Sequence, residues 1–109
     1  MATTYKVLGQ SAPAAATATT LYTVPSATEA IISTINVVNT NPTSDTIRIA
    51  IRPAGATLSV QHYIVYDLPL SGSGTFTYTG GITLAATDVI TVYSTSGHSS
   101  FNAFGSEIA

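Results

Sequence analysis

Hydrophobic and polar residues alternate along much of this chain with the period of two that is typical of half-buried β-strands. The clearest case is Thr46–Arg52, where three isoleucines share one face and two arginines share the other. Pro53 and Gly55 follow. They interrupt a strand because proline has no amide hydrogen to donate and glycine favours turns. The pattern therefore predicts a strand that ends before residue 53.

The same reasoning predicts seven further strands, which are separated by turn-forming residues. They are Tyr5–Gln10, Thr19–Val24, Ala30–Asn39, Val60–Leu68, Thr75–Thr79, Val89–Ser94 and Ser100–Phe104. Ala30–Asn39 is apolar on both faces, which favours a central strand that is covered on both sides. Strict alternation within Val60–Leu68 places Tyr63 and Tyr66 on opposite faces of their strand.

No segment shows the 3.6-residue period of an amphipathic helix. Eight short strands with turn signals between them predict an all-β fold, an antiparallel sandwich or barrel, of which we expect the β-sandwich of the jelly-roll-like type. A length of 109 residues suits one domain, so we expect residues 1–109 to form a single sandwich. Residues 1–18 have two interpretations, either an extended N-terminal arm that reaches a neighbouring molecule or an edge strand of the same sandwich.

Charged residues are rare. Only eight of the 109 residues are Lys, Arg, Asp or Glu, whereas soluble domains average about 25%. The polar surface is expected to come from 19 threonines and 12 serines. Three basic residues are too few to neutralise several phosphates, so no nucleic-acid partner is expected. No run approaches the ~18 apolar residues that cross a bilayer, and no secretory signal is expected.

The chain also offers few groups for catalysis. The ionisable candidates are Lys6, Glu29, Asp45, Arg48, Arg52, His62, Asp67, Asp88, His98 and Glu107. There is no Gly-x-Ser-x-Gly motif, and Gly80-Gly81 lacks the lysine of a phosphate-binding loop. We interpret Asp67 and Asp88 as turn-capping or solvated carboxylates. The sequence therefore predicts a protein that is not an enzyme and has no cofactor and no metal site.

The six tyrosines combine apolar area with one hydrogen-bonding group. We interpret them as residues of the core or of the sheet surface, with a stacking platform for sugars as the alternative.

A nearly neutral surface favours association, since charges usually protect exposed strand edges from pairing. We therefore expect a homo-oligomer, a dimer or trimer, or attachment to a larger scaffold, through contacts that are nearly indifferent to salt. The two arginines either bind carboxylates of a partner bidentately or keep their face soluble. The residues expected to form the assembly interface are Val7, Leu8, Arg48, Arg52, Phe104 and Ile108.

Several phrases of the chain resemble small virion structural proteins of tailed bacteriophages, in particular those of cyanophages and related marine phages. They are Thr20–Pro25 with Ala30–Ile35, Ile49–Gly55, His62–Asp67, Gly81–Leu84 and Phe101–Ile108. Together they extend over most of the chain, and residues 1–18 match least well.

The resemblance implies a β-sandwich that is made in the host cytoplasm and is present in many copies on the virion. It implies either a capsid cement or decoration protein, which would bind the major capsid protein or other virion proteins, or a neck or tail accessory protein, and it implies no catalytic residues. A neck, tail or fibre accessory module is a second interpretation, and a carbohydrate-binding module of an adhesin is a third.

Overall fold

The computed structural model describes residues 2–109, which form nine β-strands and no α-helix. The strands are β1 (Thr3–Ser11), β2 (Thr19–Thr23), β3 (Glu29–Asn39), β4 (Asp45–Arg52), β5 (Tyr63–Leu70), β6 (Thr75–Tyr78), β7 (Ile82–Leu84), β8 (Val89–Ser94) and β9 (Ser99–Ile108). Sheet A has the order β1-β9-β3-β6, with β7 also paired to β3, and sheet B has the order β2-β8-β4-β5. All neighbouring strands are antiparallel. The two sheets pack against each other, so the predicted antiparallel β-sandwich is confirmed.

The core lies between the sheets and is built from alternate residues of their strands. Its largest fully buried apolar side chains are Phe101, Ile32, Ile35, Ile47, Ile49, Ile90, Val24, Val37 and Val92. Burying one side chain of this size stabilises the fold by about 1.5–3 kcal/mol. Ile47 and Ile49 come from the segment with the clearest alternation, and Arg48 between them points to the outer face of sheet B.

Most predicted strands agree with the structure to within a few residues, and Val89–Ser94 agrees at both ends. The strand predicted from Val60 begins instead at Tyr63, because Val60–His62 form one turn of 3₁₀ helix. The amide of Ser59 donates to Nδ1 of His62, and the amide of His62 donates to the carbonyl of Ser59. Strand β7 was not predicted, since three residues are too short for alternation to be visible.

Strand β3 is central in sheet A, as predicted, but it is covered on one face only. Ala30 and Ile32 are buried on the inner face. Ile31, between them, is 42% exposed. The prediction that both faces are covered was therefore wrong, and the outer face of β3, where Ile31 lies among polar residues such as Thr34 and Asn36, belongs to the surface of the protein.

Most of the predicted arm is an edge strand. Residues 3–11 form β1, which pairs with β9 from Thr3 opposite Ile108 to Ser11 opposite Phe101. Beyond this ladder, Ala2 and Ala109 exchange both of their backbone hydrogen bonds, at 2.8 and 2.9 Å. Residues 12–18 then connect β1 to β2 without regular structure.

The strand edges are protected by irregular geometry more than by charge. Strands β6 and β7 have only four and three residues. Strand β5 contains Pro69 and two shifts of register, and β1 and β2 contain one shift each. Short, bulged or proline-containing edges are poor templates for pairing. A chain with so few ions therefore still limits uncontrolled edge-to-edge association.

Candidate interaction surfaces

The outer face of each sheet carries exposed apolar or aromatic side chains, and these two faces point in opposite directions. We define the sheet-A apolar surface as Tyr5, Val7, Ile31, Phe104 and Ile108. We define the sheet-B tyrosine surface as Val60, Tyr63, Tyr66 and Tyr93 together with Arg48 and Asp67.

The sheet-A apolar surface follows from the pairing of three neighbouring strands. Val7 of β1 lies opposite Phe104 of β9. Two residues farther along β9, Ser106 has Tyr5 as its partner on one side and Ile31 on the other. Cross-strand partners on one face are close enough for their side chains to touch. Val7 and Phe104 therefore lie side by side, and Tyr5 and Ile31 flank Ser106 on the same outer face, where Tyr5 is 82% exposed.

Two bulges bring this patch to the outer face. Leu8 is an extra residue of β1 between the pairs Val7–Phe104 and Gly9–Ala103. Ser33 is the corresponding extra residue of β3. A β-bulge shifts the alternation by one residue and redirects the side chains that follow it. Gly105 of β9 pairs with Ile32 beside the bulge at Ser33, and an added Cβ there would lie only 2.0 Å from the carbonyl oxygen of Ile31.

The six residues expected to form one interface do not lie together. Val7, Phe104 and Ile108 are on the outer face of sheet A, since Ile108 follows Phe104 and Ser106 with the strand period. Leu8 is partly buried and packs against the core, because it is the extra residue of the bulge. The two arginines lie on sheet B. The structure thus places three of the six on the outer face of sheet A, two on sheet B and Leu8 against the core.

An ionic cluster at the sheet-A edge joins the two sheets. Nζ of Lys6 lies 2.8 Å from Oε1 of Glu107, and the hydroxyl of Tyr22 in β2 donates to Oε2 of the same carboxylate. The hydrogen bonds from Lys6 and Tyr22 hold the pKa of Glu107 below its ordinary value, and burial beside this carboxylate raises the pKa of Tyr22. Only 12% of the Glu107 side chain is exposed. This charge pair therefore serves the fold and adds little charge to the neighbouring patch.

Arg48 is the centre of the sheet-B tyrosine surface. Its guanidinium carbon lies 4.4 Å from the ring centre of Tyr66 and 4.3 Å from that of Tyr93. The same group donates two hydrogen bonds to Asp67, from Nε at 2.6 Å and from Nη2 at 3.3 Å. These bonds raise the pKa of Arg48 above its ordinary value. Arg48 is therefore already bound bidentately to a carboxylate of its own chain and holds two tyrosine rings in place.

The structure corrects the expectation that Tyr63 and Tyr66 point to opposite faces. Their rings are 4.8 Å apart and nearly perpendicular, with an angle of 76°. Strand β5 carries an extra residue at Ile64, because Tyr63 and Val65 pair with the adjacent residues Ala50 and Ile49. Because of this bulge, both tyrosines lie on the outer face of sheet B. Neither strict alternation nor composition indicates that a bulge is present.

Arg52 is also occupied by its own chain. Its Nε donates to the hydroxyl of Thr91 at 3.0 Å, and its Nη1 donates to the carbonyls of Gly55 and Ala56. The side chain thus fixes the turn that follows β4. Both guanidinium groups are therefore occupied within the chain: Arg48 binds the Asp67 carboxylate, and Arg52 binds neutral carbonyl and hydroxyl oxygens.

A buried carboxylate network was not anticipated from the sequence. Asp45 is 4% exposed and accepts four hydrogen bonds, from the amides of Thr46 and Ser96 and from the hydroxyls of Ser94 and Ser99. Burial acts to raise the pKa of Asp45, but the four hydrogen bonds outweigh it and leave this pKa below its ordinary value. The network pins the start of β4 to β8 and β9.

Two of the other candidate catalytic groups, Asp88 and His62, also make structural bonds. Asp88 accepts hydrogen bonds from the amides of Ala54 and Ala85, which confirms its interpretation as a turn-capping residue. His62 accepts the amide of Ser59, and His98 is exposed in the loop before β9. Among residues 2–109, no three His, Asp or Glu side chains are close enough together to hold a metal ion.

Two concavities indent the surface. One, of about 330 Å³, is lined by Glu29, Thr83, Leu84, Ala85 and Asp88, and both oxygens of Asp88 are occupied there by backbone amides. The other, of about 420 Å³, is lined by Val60, Tyr63 and Tyr66 of the sheet-B tyrosine surface. The second is the more suitable for a ligand because its wall is aromatic.

Comparison with known proteins gives no assignment. Neither a protein-family model, nor a curated protein, nor a solved structure matches this chain. Residues 2–109 include no helix with the length and apolar character needed to cross a membrane.

Proposed function

We propose that this protein is a non-enzymatic structural component of a phage virion that binds the capsid lattice as a cement or decoration protein. The observation that carries the proposal is the sheet-A apolar surface. It lies on hydrogen-bonded strands, so it is presented in a fixed shape. Contiguous exposed apolar residues of this kind mark protein interaction sites.

The charges near this surface support a contact that depends on shape and apolar area. Lys6 and Glu107 neutralise each other, and Glu107 is turned towards sheet B. The carboxylate of Glu29, at the start of β3, is the remaining charge on these three strands. Long-range attraction therefore contributes little. Many copies of such a domain on one particle gain strength by avidity even when each contact is weak.

The ionisable groups support a structural role over a catalytic one. Asp45, Asp88, His62 and Arg52 are all bonded to backbone or hydroxyl groups within the domain. Catalytic acids and bases need a position from which they reach a substrate. The virion assignment itself comes from the resemblance of the sequence phrases, with the major capsid protein as the proposed partner and a dimer or trimer as the proposed form.

The test is co-sedimentation of the full chain with capsid shells from which the native protein has been removed. We expect binding that persists at about 1 M NaCl, where the Debye length is about 3 Å and surface ion pairs are screened. The double substitution Val7→Ser and Phe104→Ser should abolish it. Ile64→Ser is the matched control, because Ile64 is an exposed apolar residue outside the sheet-A apolar surface.

Release of the unsubstituted protein by salt alone, or retention of the double variant, would contradict the proposal. Mass spectrometry of purified particles gives the number of copies per particle, which indicates where in the virion the protein is located. Hundreds of copies per particle indicate the shell. Tens of copies or fewer indicate the alternative, a neck, tail or fibre accessory module, which uses the same sandwich.

A further inference from the structure

The sheet-B tyrosine surface has the features of a small-ligand site that the proposed role in assembly leaves unused. Val60, Tyr63 and Tyr66 line a concavity of about 420 Å³. This volume falls within the range of about 300–1,000 Å³ that is usual for small-molecule sites. Val60 is 86% exposed and Tyr66 is 59% exposed, so the concavity is open to solvent.

The two aromatic walls stand nearly at right angles, with ring centres 4.8 Å apart. A pyranose ring has an apolar face of C–H groups and a polar rim of hydroxyls. A corner of two perpendicular rings provides dispersion contacts for such a face and for one of its edges. A flat aromatic ligand can stack on only one of the two tyrosine rings, whereas a thicker saturated ring can contact both.

Polar groups stand beside the aromatic walls. The Asp67 side chain is 44% exposed, and Arg48 holds it in place by two hydrogen bonds. Among the described residues 2–109, no hydrogen bond involves the hydroxyls of Tyr63 or Tyr66, which are therefore free to bind ligand hydroxyls. A carboxylate that is fixed by an arginine is a strong, oriented acceptor.

The backbone at this site is arranged to place Asp67. Its φ angle is +49°, in the left-handed region that is uncommon for residues other than glycine and more accessible to Asp and Asn. The bulge at Ile64 brings Tyr63 and Tyr66 to the same face, and Arg48 places Asp67 beside them, since its guanidinium group binds Asp67 and lies 4.4 Å from the ring centre of Tyr66. Bulges and left-handed residues of this kind are enriched where a side chain is aimed at a functional site.

From these observations, the geometry points to a saccharide-binding site on the sheet-B tyrosine surface, with a pyranose packed against Tyr63 and Tyr66 and hydrogen-bonded to Asp67. An anionic ligand is disfavoured because the charge of Arg48 is already neutralised. The site lies on the face opposite the sheet-A apolar surface, so a saccharide remains accessible when that surface is covered. The inference does not depend on the proposed virion function.

The test uses the isotope-labelled full chain and a glycan array, followed by NMR titration with the best glycan or, when none stands out, with methyl β-D-glucopyranoside and methyl β-D-galactopyranoside. A dissociation constant of about 1 mM or tighter is expected for a ligand of this size. The shifted amides should cluster around residues 60–67. Tyr66→Ala should weaken binding about tenfold or more, as should Tyr63→Ala.

Ile31→Ala is the control, since Ile31 is a comparably exposed aliphatic residue on the opposite sheet and does not line the concavity. Denaturation of each variant checks that it is folded. Tyr66→Phe keeps the ring and removes only the hydroxyl, so it should bind with an affinity between those of the unsubstituted protein and Tyr66→Ala. No binding to any glycan at millimolar concentration overturns the inference. So does binding that the two alanine substitutions leave unchanged, or a protein partner that covers this surface in place of a sugar.

Discussion

Substitution of Asp45 by asparagine is expected to destabilise the sandwich strongly, because the buried carboxylate is the acceptor for four hydrogen bonds. Asparagine keeps an oxygen for the two amides of Thr46 and Ser96. Its NH₂ group replaces the oxygen that accepts the hydroxyls of Ser94 and Ser99. The hydroxyl groups of Ser94 and Ser99 then face another donor, the NH₂ group. The two charge-assisted hydrogen bonds that they made to Asp45 are lost.

The magnitude follows from the number of bonds lost. A hydrogen bond to a charged group contributes about 1.5–3 kcal/mol, so the loss of two costs about 3 kcal/mol or more. The hydroxyl of Ser94 has little freedom to turn, since it already accepts the amides of Gly97 at 3.0 Å and Ser99 at 3.4 Å. In a domain of about 100 residues, 3 kcal/mol lowers Tm by about 12 °C or more.

Urea denaturation followed by far-ultraviolet circular dichroism measures the effect. The midpoint for Asp45→Asn should fall with an unchanged slope, which shows that stability has changed and the compactness of the end states has not. Asp67→Asn is the matched control, because the same atoms change in a carboxylate whose side chain is 44% exposed. An exposed ion pair contributes about 0–1 kcal/mol. If Asp45→Asn and Asp67→Asn lowered the free energy of unfolding equally, the stabilising role assigned to the buried Asp45 carboxylate would be refuted.

The same carboxylate makes the stability depend on pH. Hydrogen bonding leaves the pKa of Asp45 below its ordinary value. Its contribution is therefore complete above the unfolded pKa of about 4 and is lost as the pH falls through the folded pKa. Asp45→Asn should flatten the acid limb of the stability curve. An unchanged acid limb in this variant would show that other groups, such as Glu107, determine it.

Two further predictions concern packing. Phe101→Ala should lower the free energy of unfolding by about 3–5 kcal/mol, because Phe101 is fully buried. Phe104→Ala, at an exposed position, should lower it by about 1 kcal/mol or less. Denaturation of both variants measures the difference. Gly105→Ala should destabilise by about 2 kcal/mol or more, since its Cβ would lie 2.0 Å from the carbonyl oxygen of Ile31; a thermal unfolding curve that matches that of the unsubstituted protein would exclude this clash.

The fold was predictable to the extent that it depends on local alternation. In Thr46–Arg52 the side-chain pattern matches the pleat, and the buried isoleucines and outward arginines appear as predicted. Alternation fails where a bulge inserts one residue. Leu8 and Ile64 are such residues, and each changes the face of its neighbours. Nothing in the residue types distinguishes them from ordinary strand residues.

The interaction surfaces were less predictable because they depend on contacts between distant segments. Val7 and Phe104 were expected to contribute to an interface, and the ladder between β1 and β9 makes them neighbours. The bidentate pairing of Arg48 with Asp67 spans 19 positions and needs the left-handed conformation of Asp67. The carboxylate of Asp45 binds residues about 50 positions away, and no local pattern signals that it is buried.

The backbone pairing of Ala2 with Ala109 brings the two ends of the described chain together at one corner of sheet A. A linker of a few residues would be enough to join them, which makes the sandwich suitable for circular permutation with new ends in an exposed loop such as Gly80-Gly81. Any peptide fused at either original end leaves the domain beside Ile108 and is held near the apolar patch of β1, β9 and β3. Cargo that must not interfere with the proposed contact at this patch is therefore better attached at a permuted end.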